Sequence, residues 1–162
     1  MITLVLGGVR SGKSEVAEQL ATSLGEVVTY VATGAATDDG MADRIGRHRA
    51  RRPAGWRTIE VAADLPAALM SFDGPALVDS LGTWLARHED LRGDVDGLLF
   101  ALRARHGSTV VVSEEVGLGV HATTEVGRRF TDELGTLNRQ VAAVADDVLL
   151  VVAGRTLRLD RA

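Results

Sequence analysis

The run Gly7-Gly8-Val9-Arg10-Ser11-Gly12-Lys13-Ser14 satisfies the pattern G-x-x-x-x-G-K-[ST] at every position. Each residue type in that spacing has a chemical reason. The glycines let backbone N–H groups turn inward onto phosphate oxygens, the lysine adds a compact positive charge, and the last hydroxyl is a hard oxygen donor suited to Mg2+. Lys13 is also the single lysine among 18 Lys and Arg residues. A chain that otherwise uses arginine keeps an ammonium here, because a planar guanidinium fork is too bulky to fold back over the loop as a point charge. The implied ligand is a nucleoside triphosphate.

A second concentration of chemistry lies in Arg44-Ile45-Gly46-Arg47-His48-Arg49-Ala50-Arg51-Arg52-Pro53, where five arginines surround one histidine. In a chain of net charge −4, this is either a local anion site or an exposed basic helix. Guanidinium neighbours favour the neutral imidazole, the nucleophilic form. On this cluster alone, a nucleophilic His48 and an ordinary surface histidine stand level. Asp79 closes the apolar run Ala76-Leu77-Val78, where a phosphate-loop fold commonly places its second Mg2+-organising carboxylate, with Ser14 as the first ligand. The alternative for Asp79 is a helix N-cap before Ser80-Leu81.

These residues need strands and helices to hold them. Ile2–Leu6 reads as a buried strand running into the loop. Val16, Leu20 and Leu24, with Ala17 and Ala21 beside them, follow at helical spacing, so the loop lies between strand and helix. Further strands are expected at Val27–Ala32, Ala76–Asp79, Thr109–Ser113 and Val148–Val152, with a short edge strand at Leu157–Leu159. Near-continuous apolar runs of this kind suit a parallel sheet covered on both faces. Val126, Phe130, Leu134, Leu137, Val141 and Val144 form the clearest helical stripe, read as core packing. The expected fold is α/β: a doubly wound, RecA-like P-loop NTPase sheet, mostly parallel, with helices on both faces. Leu91–Asp94 reads as a surface loop, and residues 1–162 as a single nucleotide-binding transferase domain.

Composition narrows the class. With 162 residues and no cysteine, the chain is long enough for a substantial core and has no disulfide or thiolate metal site. Its acidic balance argues against nucleic-acid binding through a broad basic face. The first apolar run breaks at Gly7, and no stretch reaches the roughly 20 apolar residues needed to span a bilayer, so a cytoplasmic protein without membrane insertion is expected. An N-K-x-D guanine-recognition motif is impossible, since Lys13 is already used. His88, His106 and His121 show no metal-ligand spacing and read as surface or structural residues.

Taken together, the motifs resemble one family. They are the loop Gly7–Ser14, Tyr30-Val31-Ala32-Thr33, and the block from Arg44-Ile45 and His48 through Arg52-Pro53 to Trp56-Arg57-Thr58-Ile59-Glu60. Val78-Asp79-Ser80-Leu81, Glu115-Val116-Gly117-Leu118-Gly119-Val120, Arg128-Arg129-Phe130 with Asp132, Gly135 with Asn138, and Val151-Val152-Ala153-Gly154 complete them. This set resembles the bifunctional adenosylcobinamide kinase/adenosylcobinamide-phosphate guanylyltransferases of cobalamin synthesis, nearly end to end. The resemblance implies phosphorylation of adenosylcobinamide, then transfer of GMP from GTP through a guanylylated histidine, matched here by His48. It implies GTP as nucleotide, with ATP open for the kinase step, Mg2+, a corrinoid substrate, and a homotrimer.

The resemblance also assigns Thr33 and Gly34 to the nucleotide pocket, with Glu60 and Asp79 as further contacts and Arg49, Arg51 and Arg52 on the phosphates. Glu60 is then a reader of guanine N1–H and N2–H2, against the alternative of a solvated strand-end glutamate. Glu115 is a weaker candidate, against a plain glycine turn. The chain departs from the family pattern at Glu114, where an asparagine is usual, and at Gly40, Gly82, Arg87 and His88. A P-loop kinase without covalent guanylylation, and a non-catalytic nucleotide-binding switch, are the alternatives.

Overall fold

The computed structural model describes residues 1–34 and 53–161. Among them, seven strands form one sheet: β1 (Ile2–Gly7), β2 (Thr29–Ala32), β3 (Arg57–Glu60), β4 (Ala76–Asp79), β5 (Thr109–Glu114), β6 (Asp147–Val152) and β7 (Arg155–Arg158). Their order is β3-β2-β4-β5-β1-β6-β7. Every neighbouring pair is parallel except β6–β7. The helices are α1 (Lys13–Ser23), α2 (Leu65–Met70), α3 (Leu81–Leu85), α4 (Val95–Ala104) and α5 (Glu125–Val144).

β1 is buried along its whole length because both its edges are paired and both its faces covered. Alternate side chains point to opposite faces of a strand. Val5 accordingly packs with Ala17 and Ala21 of α1, while Leu4 and Leu6 join the larger cluster built with α2, α3, α4 and α5. The doubly wound expectation holds, with helices on both faces of a mostly parallel sheet. The closest packing of α1 is through Ala17 and Ala21, both fully buried. Val16, Leu20 and Leu24 pack around that seam only partly buried. Small side chains let the helix backbone approach the sheet that carries the loop.

Three details differ from the sequence pattern. β2 begins at Thr29, since Val27 is half exposed. Arg57–Glu60 is a strand that the apolar runs do not mark, because it pairs on one side only and three of its four residues are exposed. In α5, Leu134, Leu137 and Val141 are buried and Phe130 and Val144 pack at the margin, but Val126 is exposed. A helix of 20 residues is about 30 Å long. A strand of six, such as β5, spans roughly 20 Å. The first turns of α5, capped by Thr124 accepting from Gly127 N–H, overrun the sheet's carboxyl edge.

The opposite edge is tied by Arg105, whose side chain is buried. It donates to the carbonyls of Leu69 (3.4 Å), Gly74 (2.8 Å) and Gly107 (3.2 Å) and to Thr109 Oγ1 (2.7 Å), and stacks over the Phe72 ring. Burial lowers its pKa below the ordinary arginine value, with Asp73 opposing the shift. An arginine stays charged regardless. Arg105→Met should keep the volume and strand these acceptors, costing about 2–4 kcal/mol. Urea unfolding should show a lower midpoint with an unchanged slope.

Candidate nucleotide-binding site

In-register parallel pairing brings the strand ends to one edge. Gly7 lies beside Glu114, Ala32 beside Asp79 and also beside Glu60. The connections after β1 and β5 then part, to α1 on one face and α5 on the other. Adjacent strands whose connections diverge leave a crevice at their carboxyl ends, where ligands bind in open α/β sheets.

The Gly7–Ser14 loop opens there. Ser11 N–H donates to Gly8 O (3.3 Å) and Val16 N–H to Gly12 O (3.1 Å), closing a turn that passes directly into α1. Gly12 takes φ +93°, a left-handed conformation that side chains resist, and a Cβ there would sit 3.2 Å from Gly154 Cα. Gly154, in the β6–β7 turn, donates its N–H to Ser11 O at 2.8 Å, bracing the loop from outside. Lys13 folds back over the loop: it is 4% exposed, its Nζ donates to Gly8 O (3.5 Å) and lies 3.9 Å from Glu114 Oε1. Ser14 sits half-buried in the first turn of α1.

Asp79 ends β4 half-buried and accepts from Tyr30 Oη at 2.8 Å. The N-cap of α3 is Ser80, whose side chain accepts from Thr83 N–H; Asp79 does not fill that role. Thr33 is fully buried, and its hydroxyl accepts from Ser80 N–H (2.8 Å), donates to Ser80 O (2.7 Å) and contacts Thr83 Oγ1. Its carbonyl accepts from Arg87 Nε (2.8 Å). Thr33 thus locks the end of β2 to the start of α3, and Gly34 follows it against Thr83. Glu60 is exposed at the end of β3.

In the sequence Glu114 stands out only as a departure, yet it ends β5 beside the loop and contacts Lys13, Ser80 and Gly82. The available signal is a carboxylate closing an apolar strand, the same one that singles out Asp79. Glu115 accepts from Gly117 N–H of its own loop at 2.8 Å. His88 lies edge-on to Trp84, consistent with a structural residue. His48, Arg49, Arg51 and Arg52, and the departure at Gly40, lie outside the described residues.

Among the described residues, no group of three or more His, Cys, Asp and Glu is arranged to hold a metal. The Ser14 hydroxyl and the Asp79 carboxylate are hard oxygen donors of the kind that suits Mg2+. No helix among the described residues is long and apolar enough to cross a membrane.

Comparison with known proteins agrees with this geometry. Among solved structures, the chain is similar to an ATPase from the type III secretion system of pathogenic bacteria, with a TM-score of 0.57 at 11% identity over 97% of this chain and 56% of that one. It is also similar to the assembled ATPase EscN of the enteropathogenic Escherichia coli type III secretion system, with a TM-score of 0.56 at 12% identity over 94% of this chain and 43% of that one. These likenesses show the RecA-like P-loop fold and nothing finer. Curated relatives are closer. The bifunctional adenosylcobalamin biosynthesis protein CobP of Pseudomonas aeruginosa is 42% identical, covering 98% of this chain and 97% of its own. The corresponding CobU of Escherichia coli K12 is 33% identical over 95% of this chain and 97% of its own. The family described as cobinamide kinase / cobinamide phosphate guanyltransferase matches residues 3–159. From its first strand to past its last, therefore, the chain belongs to the cobinamide kinase / cobinamide phosphate guanyltransferase family of enzymes.

Proposed function

We propose that this enzyme phosphorylates the side-chain hydroxyl of adenosylcobinamide, then transfers GMP from GTP to the new phosphate through a guanylylated His48. The products are adenosylcobinamide-GDP and pyrophosphate. The observation that carries the reading is Lys13 lying buried over a complete phosphate loop at the diverging ends of β1 and β5, in a chain that matches the family end to end. Residues 1–162 act as one domain, and the working form is a cytoplasmic homotrimer.

In this reading the backbone amides of Gly8–Ser14 and Lys13 hold the phosphate chain and neutralise charge as it shifts during transfer. Ser14 and Asp79 would hold Mg2+, which supplies charge neutralisation when bound. Thr33 and Gly34 border the pocket, with Glu60 taking the guanine edge. In guanylyl transfer, the neutral imidazole of His48 attacks the α-phosphorus. The P–O bond to pyrophosphate breaks, and the leaving group departs with that electron pair. Arg49, Arg51 and Arg52 offset its charge. An oxygen of the substrate phosphate then attacks the same phosphorus, the N–P bond breaks, and His48 is regenerated. Splitting the transfer this way avoids direct reaction between two polyanions.

Incubation with GTP labelled at the α-phosphate should leave label on the wild-type protein. It should be acid-labile, alkali-stable and absent from His48→Ala. A folded, GTP-binding protein that takes up no label would remove His48 from covalent catalysis and leave a P-loop kinase or a nucleotide switch. Lys13→Ala should lower kcat/KM for both transfers at least about 10²-fold. Lys13→Arg should not restore them, because the enclosed position suits an ammonium and not a fork. Steady-state assays beside a thermal-melting control for folding check both.

A further inference from the structure

Glu114 has no place in the mechanism above, yet its position is unusually well defined. Its main-chain carbonyl accepts from Asn138 Nδ2 (3.0 Å), and that amide is itself fixed by Ser113 Oγ donating to Asn138 Oδ1 (2.6 Å). Its carboxylate accepts from Ser80 Oγ at 2.8 and 3.0 Å and from Gly82 N–H at 3.2 Å. Gly82 makes that approach possible, since a Cβ there would collide with Glu114 Oε2. Gly82 and Glu114 are therefore in contact, and the glycine provides the room that the carboxylate needs.

The carboxylate is also well placed for chemistry. Its Oε1 is 3.9 Å from Lys13 Nζ, and its side chain is 23% exposed, so a substrate can reach it. A phosphate chain engaging Lys13 would lie beside this carboxylate. Asp79, on the neighbouring strand, is engaged by Tyr30. Two carboxylates in different surroundings can divide the labour of metal holding and proton transfer.

We propose that Glu114 is the proton acceptor of the kinase step, an assignment that rests on the kinase half of the proposed function. The acceptor hydroxyl oxygen bonds to the γ-phosphorus while the bond from that phosphorus to the β–γ bridging oxygen breaks. The nucleoside diphosphate leaves with the electron pair. The hydroxyl proton passes to Glu114 and from its exposed side to solvent.

The test uses the full chain with Mg2+, ATP or GTP, and adenosylcobinamide. Glu114→Gln keeps the shape and one acceptor oxygen but cannot take up the proton. Its kinase kcat should fall about 10²- to 10⁴-fold, with nucleotide KM changed by less than about threefold. Glu114→Asp should recover part of the loss. Gly82→Ala, which displaces the carboxylate without altering it, should lower the same kcat. GMP transfer to prepared adenosylcobinamide phosphate should fall far less than the kinase step. An active wild type beside an equally active Glu114→Gln would overturn the assignment. So would parallel losses in both transfers and in melting temperature, the mark of a structural role alone. A wild type that does not phosphorylate adenosylcobinamide would instead overturn the function on which the assignment rests.

Discussion

Everything at the site depends on β1 being hydrogen-bonded on both edges. With β5 on one side and β6 on the other, its last residue has no freedom to shift along the strand. A loop that must present several amides to one set of phosphates needs a fixed point of departure, and Gly7 is that point. The same parallel register sets Glu114 of β5 level with Gly7, and the ends of β2, β3 and β4 level with one another two residues short of it. Residues scattered from 7 to 114 in the chain thereby share one edge. The constraint is backbone geometry, and the side chains inherit their placement from it.

The two edges of the sheet are secured by different means. At the amino edge, the buried guanidinium of Arg105 gathers carbonyls that turns would otherwise leave unpaired. At the carboxyl edge, neutral hydroxyls do comparable work: Thr33, Ser80 and Thr83 form a compact knot joining β2 to α3. Its Ser80 hydroxyl also donates to Glu114, so the knot fixes a carboxylate beside Lys13. Arg87 reaches this knot from α3's carboxyl end, where its Nε donates to the Thr33 carbonyl.

Where the sequence is legible, a strong local pattern coincides with a strong local constraint. The phosphate loop, β1, β4 and β5 can be read because such glycine spacing and such apolar runs rarely serve any other purpose. β3 carries no such mark, because an edge strand needs no apolar run. Val126 lies on the stripe yet outside the core, because periodicity specifies a helix face without saying where the sheet beneath it ends. Asp79 and Glu114 give the same signal, an acid closing an apolar strand. Only the order of strands in the sheet reveals that Glu114, and not Asp79, borders the loop strand directly. Thr33 shows the opposite limit, since its position follows from the motif while the engagement of its hydroxyl with Ser80 depends on a residue 47 positions away.

The brace from Gly154 to Ser11 has a consequence for how the enzyme comes into being. The phosphate loop is contiguous in sequence, but residue 2 pairs with residue 109, residue 3 with residue 147, and the loop's outer support comes from residue 154. Contacts this distant along the chain close late and slow folding. Until the β6–β7 hairpin docks, the complete motif lacks the outer support that Gly154 gives it. Nucleotide capture is thereby tied to assembly of the whole sheet and not to the motif alone.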